Sequence, residues 1–262
     1  MNNIAKVRLR RVRIMVLSVV FWAAGAAFAP GYSQDKVYIL NTSTAEPYTT
    51  AERTGFQDRI VAEVFKRLGL KGRVEHYKAS ARALINANEG IDDGVAMRIR
   101  DIGKRFPNLV RVDEVLIDND FVAYSRGLDP KFDVKTWADL KGLTVGYING
   151  WVVFENNVPD NIEEHKVSTP HQLFEMLDKR RVDVALYERW QGLQTAHDTR
   201  LKVTAHEPPL AAVPMYMHVH KKHADLAVKM ANALKEMKQD GTYERIVQES
   251  LMPLVPTKGT SK

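Results

Sequence analysis

The sequence predicts an α/β fold built on mostly parallel sheets, and three observations carry that expectation. Apolar runs of strand length alternate with amphipathic stretches of roughly ten to fifteen residues along most of the chain. The 262 residues are 45% hydrophobic and 27% charged, enough to bury a sizeable core and unlike a disordered or fibrous chain. There is no cysteine. Disulfides, thiolate metal sites, a cysteine nucleophile and a lipid-anchored amino-terminal cysteine are therefore excluded.

Residues 1–29 read as a secretion signal. Lys6, Arg8, Arg10, Arg11 and Arg13 form a cationic start without an acid, Ile14 to Ala29 carry no charge, and Ala27-Phe28-Ala29 has the small-x-small form of a cleavage site. The apolar run is shorter than the roughly 20 residues of a membrane-spanning helix. Pro30 directly after the cut leaves Ala26 and Ser33 as other cleavage points, and an uncleaved anchor as the competing reading. The leader also accounts for the charge. The formal net charge is +6, but taking those five cations from the 38 Lys and Arg leaves 33 against 32 acids. No nucleic-acid partner is expected of so balanced a chain. Export without a lipid anchor predicts a soluble periplasmic protein.

Beyond the leader, Lys36–Asn41 reads as a buried strand, followed by a loop around Pro47-Tyr48. Phe56, Ile60, Val61, Val64, Phe65 and Leu68 share one helical face, and Gly69 ends that helix. Arg73–Tyr77 is a predicted strand, Ala79–Asn88 a helix closed by Gly90, and Val110–Val112 and Phe121–Tyr124 further strands. A second set begins at Trp137–Leu140. Leu143–Ile148 is a strand opening at Asn149-Gly150 into a helix, His171–Leu177 a helix, Val182–Tyr187 a strand and Glu188–Ala196 a helix. Met215–His220 returns as a strand. Helices Ala224–Gln239 and Thr242–Leu251 follow, split by Asp240-Gly241. Residues 253–262 are a polar tail, expected to be flexible.

Five segments in this order resemble one family. They are Pro47-Tyr48 ahead of Gly55-Phe56 and the helix ending Arg67-Leu68-Gly69; Ala87–Gly94; Asp139–Gly146 (DLKGLTVG); Arg181–Ala185 (RVDVA); and Leu234–Tyr243. Together they are similar to the periplasmic solute-binding proteins of family 3, the polar-amino-acid type that serves ABC transporters. The resemblance covers nearly all of residues 36–252. It implies a type II periplasmic-binding fold: a first lobe from 36–122 and 214–252, a second lobe from 123–213, and two crossing hinge strands near Val122–Ser125 and Val213–Tyr216. Such a hinge closes on a ligand held in the cleft, giving a shape that a membrane partner reads.

The resemblance also implies ligand-binding positions. Family members hold a ligand carboxylate with an Arg and its ammonium with an acid, because a guanidinium matches a carboxylate and a buried ion needs its opposite. Counting along the family pattern from Asp183 reaches Glu188, read either as the ammonium acceptor or as a helix-start Glu favoured by the dipole. The same counting from Asp93 reaches Arg105. Arg98, however, stands where family members touch ligand, so it ranks first; the other reading of either is a solvated surface charge. Met97-Arg98-Ile99-Arg100 departs from the family, whose small and hydroxyl residues there serve an ordinary amino-acid pocket. Tyr48 sits where the family places an aromatic over the ligand, or else packs in the core. The turn Gly146–Trp151, with Asn149, Gly150 and Trp151 at its end, offers backbone N–H groups to an anion, and Trp151 either walls the cleft or packs in the core.

His218 and His220 lie on one strand face and His223 follows, a spacing that permits a metal but lacks an acid or a third strand. No metal, cofactor or catalytic residue is assigned. The expected function is capture of a small polar or anionic solute, an amino acid or organic acid, by a monomer that delivers it to an inner-membrane ABC permease. The alternatives on the same fold are an enzyme of the cyclohexadienyl-dehydratase type, with Glu188 as general acid, and a ligand-sensing partner without a transport role.

Overall fold

The computed structural model describes residues 36–127 and 133–256. The predicted secretion signal and the end of the tail lie outside them. The chain begins with strand β1 (Val37–Thr42), helix α1 (Phe56–Arg67), β2 (Lys71–His76), α2 (Ser80–Asn88), β3 (Gly94–Ile99), β4 (Leu109–Arg111) and the long β5 (Ile117–Arg126). It continues through β6 (Thr144–Ile148), the single turn α3 (Val152–Glu155), β7 (Glu163–Val167), α4 (Pro170–Asp178), β8 (Val184–Glu188), α5 (Arg189–Asp198) and β9 (Val203–Ala205). The long β10 (Ala211–His220) then leads to α6 (Ala224–Gln239) and α7 (Thr242–Ser250).

The ten strands form one continuous sheet with the path β2-β1-β3-β10-β5-β8-β6-β7; β4 also pairs with β10, and β9 with β5. The outer pairs β1–β2, β1–β3, β6–β7 and β6–β8 are parallel, as the alternating pattern predicted. The centre is not. β5 and β10 run antiparallel to each other, β10 runs antiparallel to β3, and β5 to β8. These two long strands belong to both halves of the sheet. They pair with one another over Ile117–Phe121 and Ala211–Met215, while Val122–Ser125, expected to cross, pairs with β8.

The helices take their places for simple reasons. α6 buries Leu226, Ala227, Met230, Ala233, Leu234 and Met237, a stripe at three- and four-residue spacing. α4 starts on Thr169, whose hydroxyl accepts from Gln172 N, with Pro170 next. In the second half, Leu173, Phe174 and Leu177 of α4 pack with Val122, Tyr124 and Tyr187 in one apolar cluster. Leu140, Val145, Tyr147, Phe154, Val184 and Leu186 form another.

Four features differ from the sequence reading. β3, with β1 on one side and β10 on the other, was not expected, because Arg98 and Arg100 broke its apolar run. Gly94 is required there: a Cβ would stand 2.1 Å from the His218 carbonyl oxygen of β10. The short strands β7 and β9 also went unseen, β7 because its sequence is as polar as a loop and β9 because three residues carry no alternation to read. The helix expected after Gly150 is one turn. Finally, the tail is built at its start, where Met252–Leu254 make a 3-10 turn and Leu254 packs against the cluster around Leu193.

Candidate functional site

Tyr48 and Glu188 come from opposite halves of the sheet and meet. Tyr48 lies in the loop after β1, and that loop is clamped to the start of α1: Phe56 N donates to Pro47 O at 3.1 Å and Gln57 N to Tyr48 O at 2.7 Å. The approach is close enough that a Cβ on Gly55 would stand 2.6 Å from Tyr48 O. Asp58 completes the clamp, accepting from Gly55 N and Thr50 N, each at 3.0 Å, and from Thr49 Oγ1 at 2.8 Å. The Tyr48 ring is fully buried, edge-on to Phe56. Its hydroxyl donates to Glu188 Oε1 at 2.8 Å.

Glu188 ends β8 and caps α5. Its Oε1 accepts from Trp190 N at 3.1 Å and its Oε2 from Gln191 N at 2.9 Å. The side chain is wholly buried. Burial pushes its pKa up to about 7, with nearby Asp120 adding to the rise and the three hydrogen bonds opposing it. Asp120 is itself held by Arg189 Nε at 3.0 Å, and Arg189 also pairs with Glu207. Tyr48 is packed in the core and Glu188 caps α5, and together they bridge the two halves.

Arg98 stands near the end of β3 in a different condition. Its guanidinium donates from Nη1 to its neighbour's carbonyl, Met97 O, at 2.9 Å, and from Nη2 to Ser43 Oγ at 3.0 Å and Ser80 Oγ at 3.2 Å. Its Nε is buried without a partner. Burial alone lowers its pKa to about 10, with no acid near enough to offset the loss of water. The side chain as a whole is half-buried, so the desolvation falls mainly on Nε. Ser43, after β1, and Ser80, at the start of α2, supply the hydroxyls that the Met97–Arg100 segment lacks. Neither was read from sequence as a partner of Arg98, since both are isolated serines far from it in the chain.

The remaining expected positions are not brought to Arg98. Arg105 is exposed, with its guanidinium 5.6 Å from the Phe106 ring centroid. The N–H groups of the Gly150 turn are already used: Asn149 N donates to Val167 O, Gly150 N to Glu155 Oε1 at 2.8 Å, and Trp151 N to Ile148 O. Asn149 and Gly150 are exposed, while Trp151 packs on Phe121, Phe154 and Tyr187. Trp151 is a packing residue in this arrangement.

The three histidines take separate roles. His220 Nδ1 accepts from Lys222 N, and His223 Nε2 lies 2.7 Å from Asp93 Oδ1. His218 is buried, and neither ring nitrogen has a well-formed hydrogen bond. Its pKa falls to about 4, chiefly through burial, although the carbonyls of Arg100 and Tyr216 lie close; Arg111 and Arg98 disfavour its charged form further. Among the described residues no group of three His, Asp or Glu is placed to hold a metal. The clearest surface depressions lie elsewhere, on the second half. One of about 200 Å³ is lined by His171, Glu175, Asp178 and Arg200, and another of about 380 Å³ by Lys166, Gln172 and Arg181. Their polar side chains are largely exposed, whereas Arg98 Nε is a buried donor without a partner.

No family model matches the chain. A protein of Shewanella oneidensis, described only as uncharacterised, is 28% identical over 164 residues; the match spans 58% of this chain and 60% of that protein, less than two thirds of its length. Solved structures are similar over more of the chain. The probable amino-acid ABC transporter extracellular-binding protein ytmK of Bacillus subtilis aligns with a TM-score of 0.71 at 19% identity, covering 82% of this chain and 97% of that one. A mutant of ArgBP from T. maritima aligns at 0.61 and 18% identity over 82% and 95%. A histidine kinase sensor domain with similarity to periplasmic binding proteins aligns at 0.62 and 15% identity over 83% and 96%. At such identities the likeness is one of fold, and the chain has the α/β binding-protein fold that its sequence motifs implied.

Proposed function

We propose that this chain, built on the fold of transporter binding proteins, is a periplasmic receptor that captures a small anionic solute and delivers it to an ABC permease. The observation that carries the reading is Arg98: a half-buried guanidinium whose Nε is buried and unpartnered, with no acid paired to it among the described residues and two serine hydroxyls at its Nη2. An oxyanion supplies the missing counter-charge and accepts the remaining hydrogen bonds. In this reading residues 36–122 and 214–252 form one lobe and 123–213 the other. The paired β5 and β10 are the hinge. Tyr48 and Glu188 meet when the lobes close, so closure removes the bound anion from water and strengthens its pairing with Arg98.

Transport is favoured over sensing by the likeness to an amino-acid transporter's binding protein, and the likeness to a kinase sensor keeps the second reading in view. Among the described residues no helix is long and apolar enough to cross a membrane. A monomer suffices, because both lobes come from one chain.

The test is a thermal-shift screen of the purified protein and its Arg98→Ala variant against amino acids, organic acids and polyamines. A ligand at a hundredfold over its Kd adds about 2.7 kcal/mol to the wild type. The expected hits are anions, and the variant loses the shift. Hits confined to polyamines, or a shift unchanged by the variant, would contradict the assignment.

A further inference from the structure

Resting on that reading, the pattern of buried charges narrows the ligand. The four buried acids among the described residues are Asp58, Asp92, Asp93 and Glu188, and each already holds its donors. Asp58 accepts from Thr49, Thr50 and Gly55; Asp92 accepts from Asn41 Nδ2 at 2.7 Å. Asp93 pairs with Lys36 at 2.9 Å and His223 at 2.7 Å, and accepts from Ile39 N. Glu188, the position expected to receive an ammonium, is committed to Tyr48, Trp190 and Gln191.

The unmatched groups have the opposite sign or none. Arg98 Nε is buried and unpaired, and the His218 ring, with only the loosely placed carbonyls of Arg100 and Tyr216 beside it, lies in the field of Arg98 and Arg111. Beyond them, Arg100 reaches only the Tyr216 hydroxyl and ring. The unpaired acceptors, Asn41 Oδ1 and Gln57 Oε1, are neutral amide oxygens that can receive a hydroxyl but cannot balance a cation.

We infer that the ligand is a small organic carboxylate lacking an ammonium group, rather than a zwitterionic amino acid. A carboxylate alone neutralises Arg98. An added ammonium finds no acid paired with Arg98 and every buried acid of the described residues already engaged, so it gains no buried counter-charge.

Titration calorimetry with matched pairs tests this: glutarate against glutamate, propionate against alanine, and hexanoate against 2-aminohexanoate. Each pair differs only by the α-ammonium. The expected result is at least tenfold tighter binding of the ammonium-free partner in every pair that binds. An amino acid binding as tightly as its partner, or more tightly, overturns the inference. The Arg98→Ala variant separates the two levels. If amino acids bind better and the variant weakens them, the anion site stands and this inference falls. If the variant leaves affinity unchanged, or no carboxylate of either kind binds, the site reading falls with it.

Discussion

Glu188→Gln gives a stability difference that changes with pH in a direction fixed by the buried carboxyl. In the folded protein burial raises its pKa to about 7, while in the unfolded chain it titrates near 4.5. Between those values the native state holds a proton that the unfolded state has released. Stability therefore falls as pH rises through that window, and the penalty is complete above pH 7. The gap corresponds to about 3 kcal/mol. Glutamine keeps the neutral shape and cannot ionise, so this penalty is missing from the variant. Its Nε2 cannot accept from Gln191 N, and the lost cap bond costs about 1 kcal/mol at every pH, shifting the curve without changing its rise. Denaturant titrations of both proteins from pH 4.5 to 8 should show the variant less stable by about 1 kcal/mol at the acid end and more stable by about 2 kcal/mol at the alkaline end. Subtracting one curve from the other removes the other titrating groups. A difference that stays flat, or that turns against the variant as pH rises, would refute the reasoning.

Tyr48→Phe removes the one donor that reaches Glu188 from the other half of the sheet. The expected loss is about 2 kcal/mol at pH 8, where the carboxylate is ionised, and less at pH 5, where it is protonated; denaturation at the two pH values checks it, and equal losses would count against the bridge. Gly55→Ala places a Cβ 2.6 Å from the Tyr48 carbonyl oxygen. Gly55 has an ordinary φ of −67°, so alanine there restricts the unfolded chain at no backbone strain, and only the clash opposes it. The expected net effect is a loss of about 2 kcal/mol, read by denaturant titration; an unchanged or raised stability would show that the loop yields freely.

Much of the fold was legible because its elements keep a clean period. The apolar faces of α1 and α6 and the Asp139–Gly146 entry into the second half are local signals that tertiary structure leaves intact. The signal failed at β3. A strand flanked by neighbours on both sides tolerates Arg98 only because Ser43 and Ser80, from other elements, receive its guanidinium, and nothing in Gly94–Ile99 announces those partners. The antiparallel centre was hidden for a similar reason, since β5 and β10 pair across more than eighty intervening residues.

The candidate site was legible in part. Tyr48, Arg98 and Glu188 were found as positions, but which groups they face depends on long-range packing. Glu188 was read evenly as ammonium acceptor and helix-start residue, and the cap on α5 supports the second. The Gly150 turn looked open in sequence because the side chain that fills it, Glu155, sits five residues on, inside the turn's own short helix. His218 entered only as a metal candidate. It is buried beside cations next to a register irregularity between β10 and β3, which no local pattern encodes.

The central claim is that Arg98 is the counter-charge for a bound anion, and titration calorimetry on the wild type and Arg98→Ala tests it most directly. The titrant is whichever carboxylate gives the largest thermal shift. The expected result is a one-to-one isotherm for the wild type and affinity weakened at least a hundredfold in the variant, with its fold retained by circular dichroism. Equal affinity in the two proteins would contradict it.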